Sequence, residues 1–193
     1  MKKRGVDFVE AKDEAAFYGP KIDIQMKNAN DKEDTAFTVQ YDLCMPERFN
    51  LTYIGEDGKE HRAFVVHRSS IGAIERTIAF LIEHYAGAFP LWLSPVQVAI
   101  LPLSEKLEKY AEKINEELKK ENIRVEMTDA NETLGKRIRE AEMQKIPYVL
   151  VVGEKEEKNG TVSVRHYRRG QENEISVKEV LEKIKKEIEE KVI

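Results

Sequence analysis

The stretch His67-Arg68-Ser69-Ser70-Ile71-Gly72-Ala73-Ile74-Glu75-Arg76 is where the period of this sequence changes. Before it, apolar and polar residues alternate, as in a strand. After it, Ile71, Ile74, Ile78, Leu81, Ile82 and Tyr85 recur at helical spacing, and Ala73, Ala79 and Phe80 add apolar surface on other sides. A helix apolar nearly all round is expected to be buried. Gly87, Pro90 and Pro95 punctuate its exit and predict a domain boundary near residues 88–95.

Working outward toward the amino end, Lys21-Ile22-Asp23-Ile24-Gln25-Met26 and Phe37-Thr38-Val39-Gln40-Tyr41-Asp42-Leu43 both alternate. Glu56-Asp57-Gly58-Lys59 is a turn between strands, and Ala63 to His67 is a short apolar strand. These segments predict an antiparallel sheet. Toward the carboxyl end, strands and helices alternate. Val96–Leu101, Ile123–Glu126, Tyr148–Val152 and Thr161–Arg165 read as strands, with the wholly apolar Tyr148–Val152 in the centre. Leu107, Tyr110, Ala111, Ile114 and Leu118 form one helical stripe, and Glu132 to Gln144 a second helix. Val177, Val180, Leu181, Ile184 and Ile188 form a last stripe, opened by the capping-box pair Ser176 and Glu179. The fold class is therefore α/β of the α+β kind: an antiparallel-sheet unit over residues 1–92, then a mixed-sheet α/β unit over 93–193.

The chain has 193 residues, 41% of them hydrophobic, which is enough for a packed core. Charged residues make up 35%; 32 basic against 36 acidic side chains give a net charge of −4. That excludes a general nucleic-acid coat protein but leaves room for a local basic patch. Cys44 is the one cysteine, so neither an internal disulfide nor a thiolate zinc cluster is available, which points to a reducing compartment. Met1-Lys2-Lys3-Arg4 runs into Gly5-Val6-Asp7 rather than an apolar signal core, and no apolar run has membrane-spanning length. A soluble cytoplasmic protein with no membrane partner is expected.

Arg76 is the first chemical oddity. A guanidinium near the start of an apolar helix needs anionic company, either a structural partner such as Glu75 or a phosphate held by its planar fork. In the second half, Lys136, Arg137, Arg139 and Lys145 concentrate positive charge on one predicted helix. Arg165-His166-Tyr167-Arg168-Arg169 interleaves rings with guanidinium groups. Such a surface suits RNA loops, which are read by stacking and base-edge contacts. A merely solvated charged face has the same composition.

The residues from His67 to Arg76, running into Ile82-Glu83-His84-Tyr85-Ala86-Gly87-Ala88-Phe89-Pro90-Leu91-Trp92-Leu93, resemble the third signature motif of threonyl-tRNA synthetases. Ala16-Phe17-Tyr18-Gly19-Pro20-Lys21-Ile22-Asp23 is similar to another segment of that family. The resemblance implies the end of a class II synthetase catalytic domain, with Arg76 on ATP phosphates and Tyr18 and Lys21 near threonine and the terminal adenosine of tRNA. It places Gln40 in the substrate pocket and makes His67 the third protein ligand of a catalytic zinc. The zinc cysteine and histidine, and the first two signature motifs, are expected to lie outside this chain, and Cys44 does not match the cysteine ligand. ATP with Mg2+ and Zn2+ are thus cofactors of a complete, homodimeric enzyme, with zinc not expected on this chain alone. The sequence departs from the family at Asp34-Thr35-Ala36-Phe37, where many members carry a Trp-Gln pair, and at Ala73, a frequent serine position.

From Pro95 onward the chain resembles the anticodon-binding domain of the same family. Asn131-Glu132-Thr133-Leu134-Gly135-Lys136-Arg137-Ile138-Arg139-Glu140 and Ile146-Pro147-Tyr148-Val149-Leu150-Val151-Val152-Gly153-Glu154-Lys155-Glu156 carry that likeness. It implies that Asn131, Lys145, Glu156 and Arg165 face the anticodon of threonine tRNA, with Arg139 supporting the same surface. Their charge makes Lys136 and Arg137 candidate phosphate contacts. Lys145 stands in a common arginine position. The implied activity is threonine–tRNA ligation. The alternatives are a non-catalytic anticodon-binding fragment and one half of a split synthetase. By this reading the chain alone does not complete adenylation.

Overall fold

A computed structural model describes residues 2–193. It divides into two units, the first ending at His84 and the second Tyr85–Ile193. The division falls ahead of the boundary expected at residue 92, because the segment after His84 is fastened to the second unit. Leu91 is buried in that unit's core, Gln97 Nε2 donates to Leu91 O at 2.9 Å, and Lys145 Nζ donates to Ala86 O.

The first unit holds β1 (Lys21–Lys27), β2 (Glu33–Asp42), α1 (Met45–Arg48), β3 (Thr52–Ile54), β4 (Glu60–Arg62), β5 (Val65–Ser69) and α2 (Ile74–His84). Its main sheet is antiparallel in the order β1-β2-β5, and β3 and β4 form a separate hairpin. Register puts Lys21, Gln40 and His67 side by side, and Asp23, Thr38 and Ser69 in the next row. Cross-strand partners share a face, so this face is polar, whereas Ile22, Ile24, Val39 and Val66 fall on the other.

The expectation of a buried helix after the period change is not met. None of the residues of α2 is buried, and Ile74, Ile78 and Ile82 are about half exposed or more. The reason is local. A three-stranded sheet and one helix supply too little opposing surface, and the buried hydrophobic core of the described residues lies wholly in the second unit, from Leu91 onward.

The second unit runs β6 (Val98–Pro102), α3 (Glu108–Lys120), β7 (Val125–Met127), α4 (Leu134–Met143), β8 (Tyr148–Val152), α5 (Glu154–Asn159), β9 (Thr161–His166), β10 (Gly170–Ser176) and α6 (Val177–Glu189). The sheet order is β10-β9-β8-β6-β7. Its β6–β7 and β6–β8 pairs are parallel, and its β8–β9 and β9–β10 pairs antiparallel. The apolar β8 is central, as its composition requires. One sheet face carries Val98, Ile100, Leu150, Val162 and Val164 against Ala111, Ile114 and Leu118 of α3 and Val180 and Ile184 of α6. Each fully buried Val, Leu or Ile side chain among these contributes about 1.5–3 kcal/mol relative to exposure. On the other face Ala99, Leu101 and Val149 meet Ala141 of α4 and Ile146. That cluster is smaller, so α4 covers only part of this face and Val151 stays partly exposed.

Candidate functional sites in the two units

In the first unit, Gly19 lets the chain pass close to β2: a Cβ there would overlap the carbonyl oxygen of Tyr41. Leu43 N donates to Tyr18 O at 2.8 Å, pinning the turn against the end of β2. Tyr18 OH then donates to Gln40 Oε1, and its ring meets that of His67 edge-on at 5.7 Å. Tyr18, Gln40, Asp42, Cys44, Arg48 and His67 line a recess of about 340 Å3. The structure thus brings three of the sequence-predicted residues, Tyr18, Gln40 and His67, to one place. Lys21 shares the row with Gln40 and His67 and pairs with Asp23 at 2.8 Å, which raises its pKa above the ordinary lysine value. Arg76 sits elsewhere, in a smaller recess with Asn28, Asp34 and Glu83. It is exposed.

Asp42 is the anchor of this site that pattern reading missed. Its side chain is 2% exposed. Oδ1 accepts from Cys44 N and Met45 N, both at 2.9 Å, and Oδ2 from His67 Nε2 at 2.7 Å. The Met45 amide, then the His67 ring, hold the Asp42 carboxyl below the usual carboxylate range. A zinc site needs several ligands at once. No group of three or more His, Cys, Asp or Glu side chains that could hold a metal occurs among the described residues. The donors present do not make up a zinc site.

In the second unit, the face that α4 leaves open carries Ser163 and Arg165, two apart on β9 and hence pointing the same way. Arg165 lies between Val149 of β8 and Gln171 of β10. Its guanidinium donates to Gln171 Oε1 at 3.1 Å and reaches Glu142 Oε1, at the end of α4, at 3.5 Å. A recess of about 410 Å3 opens beside it, with Ile146, Val149 and Tyr167 in its wall. Glu156 reaches the same face from the first turn of α5. Its Oε2 accepts from Gly153 N at 3.1 Å and its Oε1 from Ser163 Oγ at 2.9 Å. A Cβ on Gly153 would lie 2.7 Å from that carboxylate oxygen and 2.8 Å from Leu103 Cδ1, so a glycine is required for the carboxylate to fold back.

Other predicted members of the surface are placed differently. Lys145 is not on α4. It follows the helix in a left-handed conformation, φ 57°, with its ammonium on Ala86 O. Asn131, in the loop before α4, and Arg139, on that helix, are exposed. Arg137 is no phosphate contact: it is 4% exposed and donates to Pro102 O at 2.8 Å and Glu132 O at 3.1 Å. Successive helix positions point in different directions, so Lys136 is outward while Arg137 turns to the end of β6. His166 and Arg169 also leave the predicted surface. His166 faces α6, its ring edge-on to Tyr148 at 4.7 Å. Arg169 pairs with Glu187 at 2.9 Å. Strand alternation had already separated His166 from Arg165.

Comparison with known proteins agrees with this architecture. Residues 2–85 match the tRNA synthetase class II core domain (G, H, P, S and T), and residues 97–187 the anticodon binding domain. A threonine–tRNA ligase of Bacillus velezensis is 50% identical over 184 residues, which is 95% of this chain and 29% of that protein. One from Lactobacillus acidophilus is 53% identical over 177 residues, 91% of this chain and 27% of that protein. The crystal structure of the RNA binding domain of threonyl-tRNA synthetase from Cryptosporidium parvum superposes with a TM-score of 0.80 at 34% identity, over 96% of this chain and 47% of that one. The chain spans under a third of the length of the curated relatives it matches. With a synthetase-core match on its first unit, an anticodon-domain match on its second and half its residues shared along nearly its whole length, the chain belongs to the threonyl-tRNA synthetase family.

Proposed function

We propose that this chain is the portion of a threonine–tRNA ligase that reads the anticodon of threonine tRNA, using the open face of its second unit. The observation that carries this is the fixed carboxylate of Glu156 and guanidinium of Arg165 on one sheet face beside a recess. A carboxylate accepts from base amino and imino groups while repelling phosphate; a guanidinium donates to base oxygens and ring nitrogens. Asn131, Arg139 and Lys145 are further proposed contacts of the anticodon arm, and Lys136 is the proposed phosphate contact. The net charge of −4 means that affinity must come from this local surface and must weaken as salt rises. Filter binding of the cognate transcript and an anticodon-substituted one, at two salt concentrations, tests the reading. Tighter binding of the cognate, lost in Glu156→Ala, is the expected result; equal affinities unchanged by that substitution overturn it.

The first unit supports a second, compatible reading. Its polar row of Lys21, Gln40 and His67, with Tyr18 above it, belongs to a ligase site for threonine and ATP with Mg2+, in which Arg76 meets phosphate charge. The exposed apolar stripe of α2 and the apolar sheet face fit a core completed by further synthetase sequence, in the same chain or another, within a homodimeric cytoplasmic enzyme. No helix among the described residues is long and apolar enough to cross a membrane. On this reading the chain alone gives no threonine-dependent pyrophosphate exchange. Exchange by a preparation free of host enzyme, and abolished by Arg76→Ala, overturns it.

A further inference from the structure

Both candidate readers on the open face are held by uncharged groups. Glu156 Oε1 receives the Ser163 hydroxyl at 2.9 Å and its Oε2 the Gly153 amide at 3.1 Å. Arg165 donates to the amide oxygen of Gln171 at 3.1 Å. Among the described residues the charged partner of Arg165 is Glu142, more distant at 3.5 Å, and both of those side chains are well exposed, 39% and 55%. Exposed ion pairs of that kind are worth little and are screened by salt. Neither reader is therefore neutralised by a close counter-ion, yet each is oriented. Ser163 and Arg165 are two residues apart on one strand, about 7 Å, so the two held groups flank a span of nucleobase size.

We propose that Ser163 and Gln171 are positioning residues for anticodon discrimination. They fix the direction of the Glu156 carboxylate and the Arg165 guanidinium without consuming either charge, so both charges remain for RNA. The inference rests on the anticodon reading given above. Pre-set orientation matters because a side chain that must be ordered on binding loses conformational entropy that offsets the contact. A charged partner in place of Gln171 would orient the guanidinium equally well but cancel its charge.

The test is the ratio of affinities for cognate and anticodon-substituted transcripts, with the thermal midpoint measured on every variant. Ser163→Ala and Gln171→Ala should each lower the ratio about tenfold, the scale of one hydrogen bond to a charged group, with the midpoint unchanged. Ser163→Thr keeps the hydroxyl and should keep the ratio. Gln171→Glu keeps the acceptor oxygen in place, so it should also keep the ratio while weakening both transcripts and flattening the salt dependence. An unchanged ratio in Ser163→Ala and Gln171→Ala, while Glu156→Ala or Arg165→Ala collapses it, overturns the positioning role alone. A ratio lost in Gln171→Glu as fully as in Gln171→Ala also overturns it, since geometry would then not be what Gln171 supplies. A ratio unmoved by Glu156→Ala and Arg165→Ala overturns the anticodon reading itself. Should Ser163→Ala lower the midpoint, the two variants of the exposed Gln171 decide the question.

Discussion

Oδ2 of Asp42 lies 2.7 Å from Nε2 of His67, across neighbouring antiparallel strands. An ionised carboxylate can only accept, so Nε2 carries a proton, and in the neutral ring the bare lone pair is then on Nδ1. Asp42 is itself immobilised by the amides of Cys44 and Met45 at the start of α1. The ring is thereby fixed in one tautomer by a residue that no motif singled out.

The first prediction follows from that contact. Long-range 15N–1H correlation spectra at neutral pH should place the His67 proton on Nε2. Asp42→Leu removes the acceptor and should let both tautomers appear. A proton on Nδ1 in the unsubstituted protein contradicts the assignment.

Asp42 also predicts an acid response. Its carboxyl is held below the ordinary range, first by the Met45 amide, then by His67. A depressed folded-state pKa contributes stability that is fully present above the unfolded value of about 4 and is lost as pH falls through the lower folded value. Carboxyl 13C titration should give Asp42 a midpoint below that of exposed aspartates. Asp42→Asn, which keeps one acceptor for the helix amides, should flatten the acid limb of the stability curve. A normal Asp42 midpoint defeats this.

Arg137 should behave as a structural residue. It is buried, and its guanidinium satisfies the carbonyls of Pro102 and Glu132. Arg137→Met should cost about 2–3 kcal/mol in urea denaturation, because hydrogen bonds from a charged donor are lost and two carbonyls are left without them. Affinity for tRNA, measured where the variant is folded, should not change. Loss of affinity with unchanged stability would return Arg137 to the RNA surface.

Tyr148 should be the last of the seven tyrosines to ionise. Burial, then the adjacent Glu187 carboxylate 2.9 Å from its hydroxyl, push its pKa far above the ordinary tyrosine value. A raised folded-state pKa gives stability that is complete below the unfolded value of about 10 and disappears as pH rises through the folded value. Phenolate absorbance should show one tyrosine titrating only with alkaline unfolding, and Tyr148→Phe should remove that step. Seven tyrosines titrating together in the folded protein would contradict it.

Much of this was written in local pattern. The alternation of Lys21–Met26 and Phe37–Leu43, the apolar run Tyr148–Val152 and the stripes of α3 and α6 fix element type, because strand and helix periods decide which side chains can share a face. The central place of β8 follows from its having no polar side to turn to water. The small elements α1, α5 and β10 were not legible: four and six residues are too few for a helical period, and β10 carries little apolar alternation.

The sequence by itself determined the two-part order of the chain, its element types and the family likeness that marked Tyr18, Gln40, His67, Glu156 and Arg165. The tertiary structure decided what those residues touch. Register set Lys21, Gln40 and His67 in one row and Arg165 beside Gln171, and register is fixed by turn geometry and strand pairing rather than by the period of either strand. Packing turned Arg137 inward, although its composition matches that of the outward residues around it. It also left α2 uncovered, because burial is a property of two surfaces that meet, and an apolar stripe specifies only one of them.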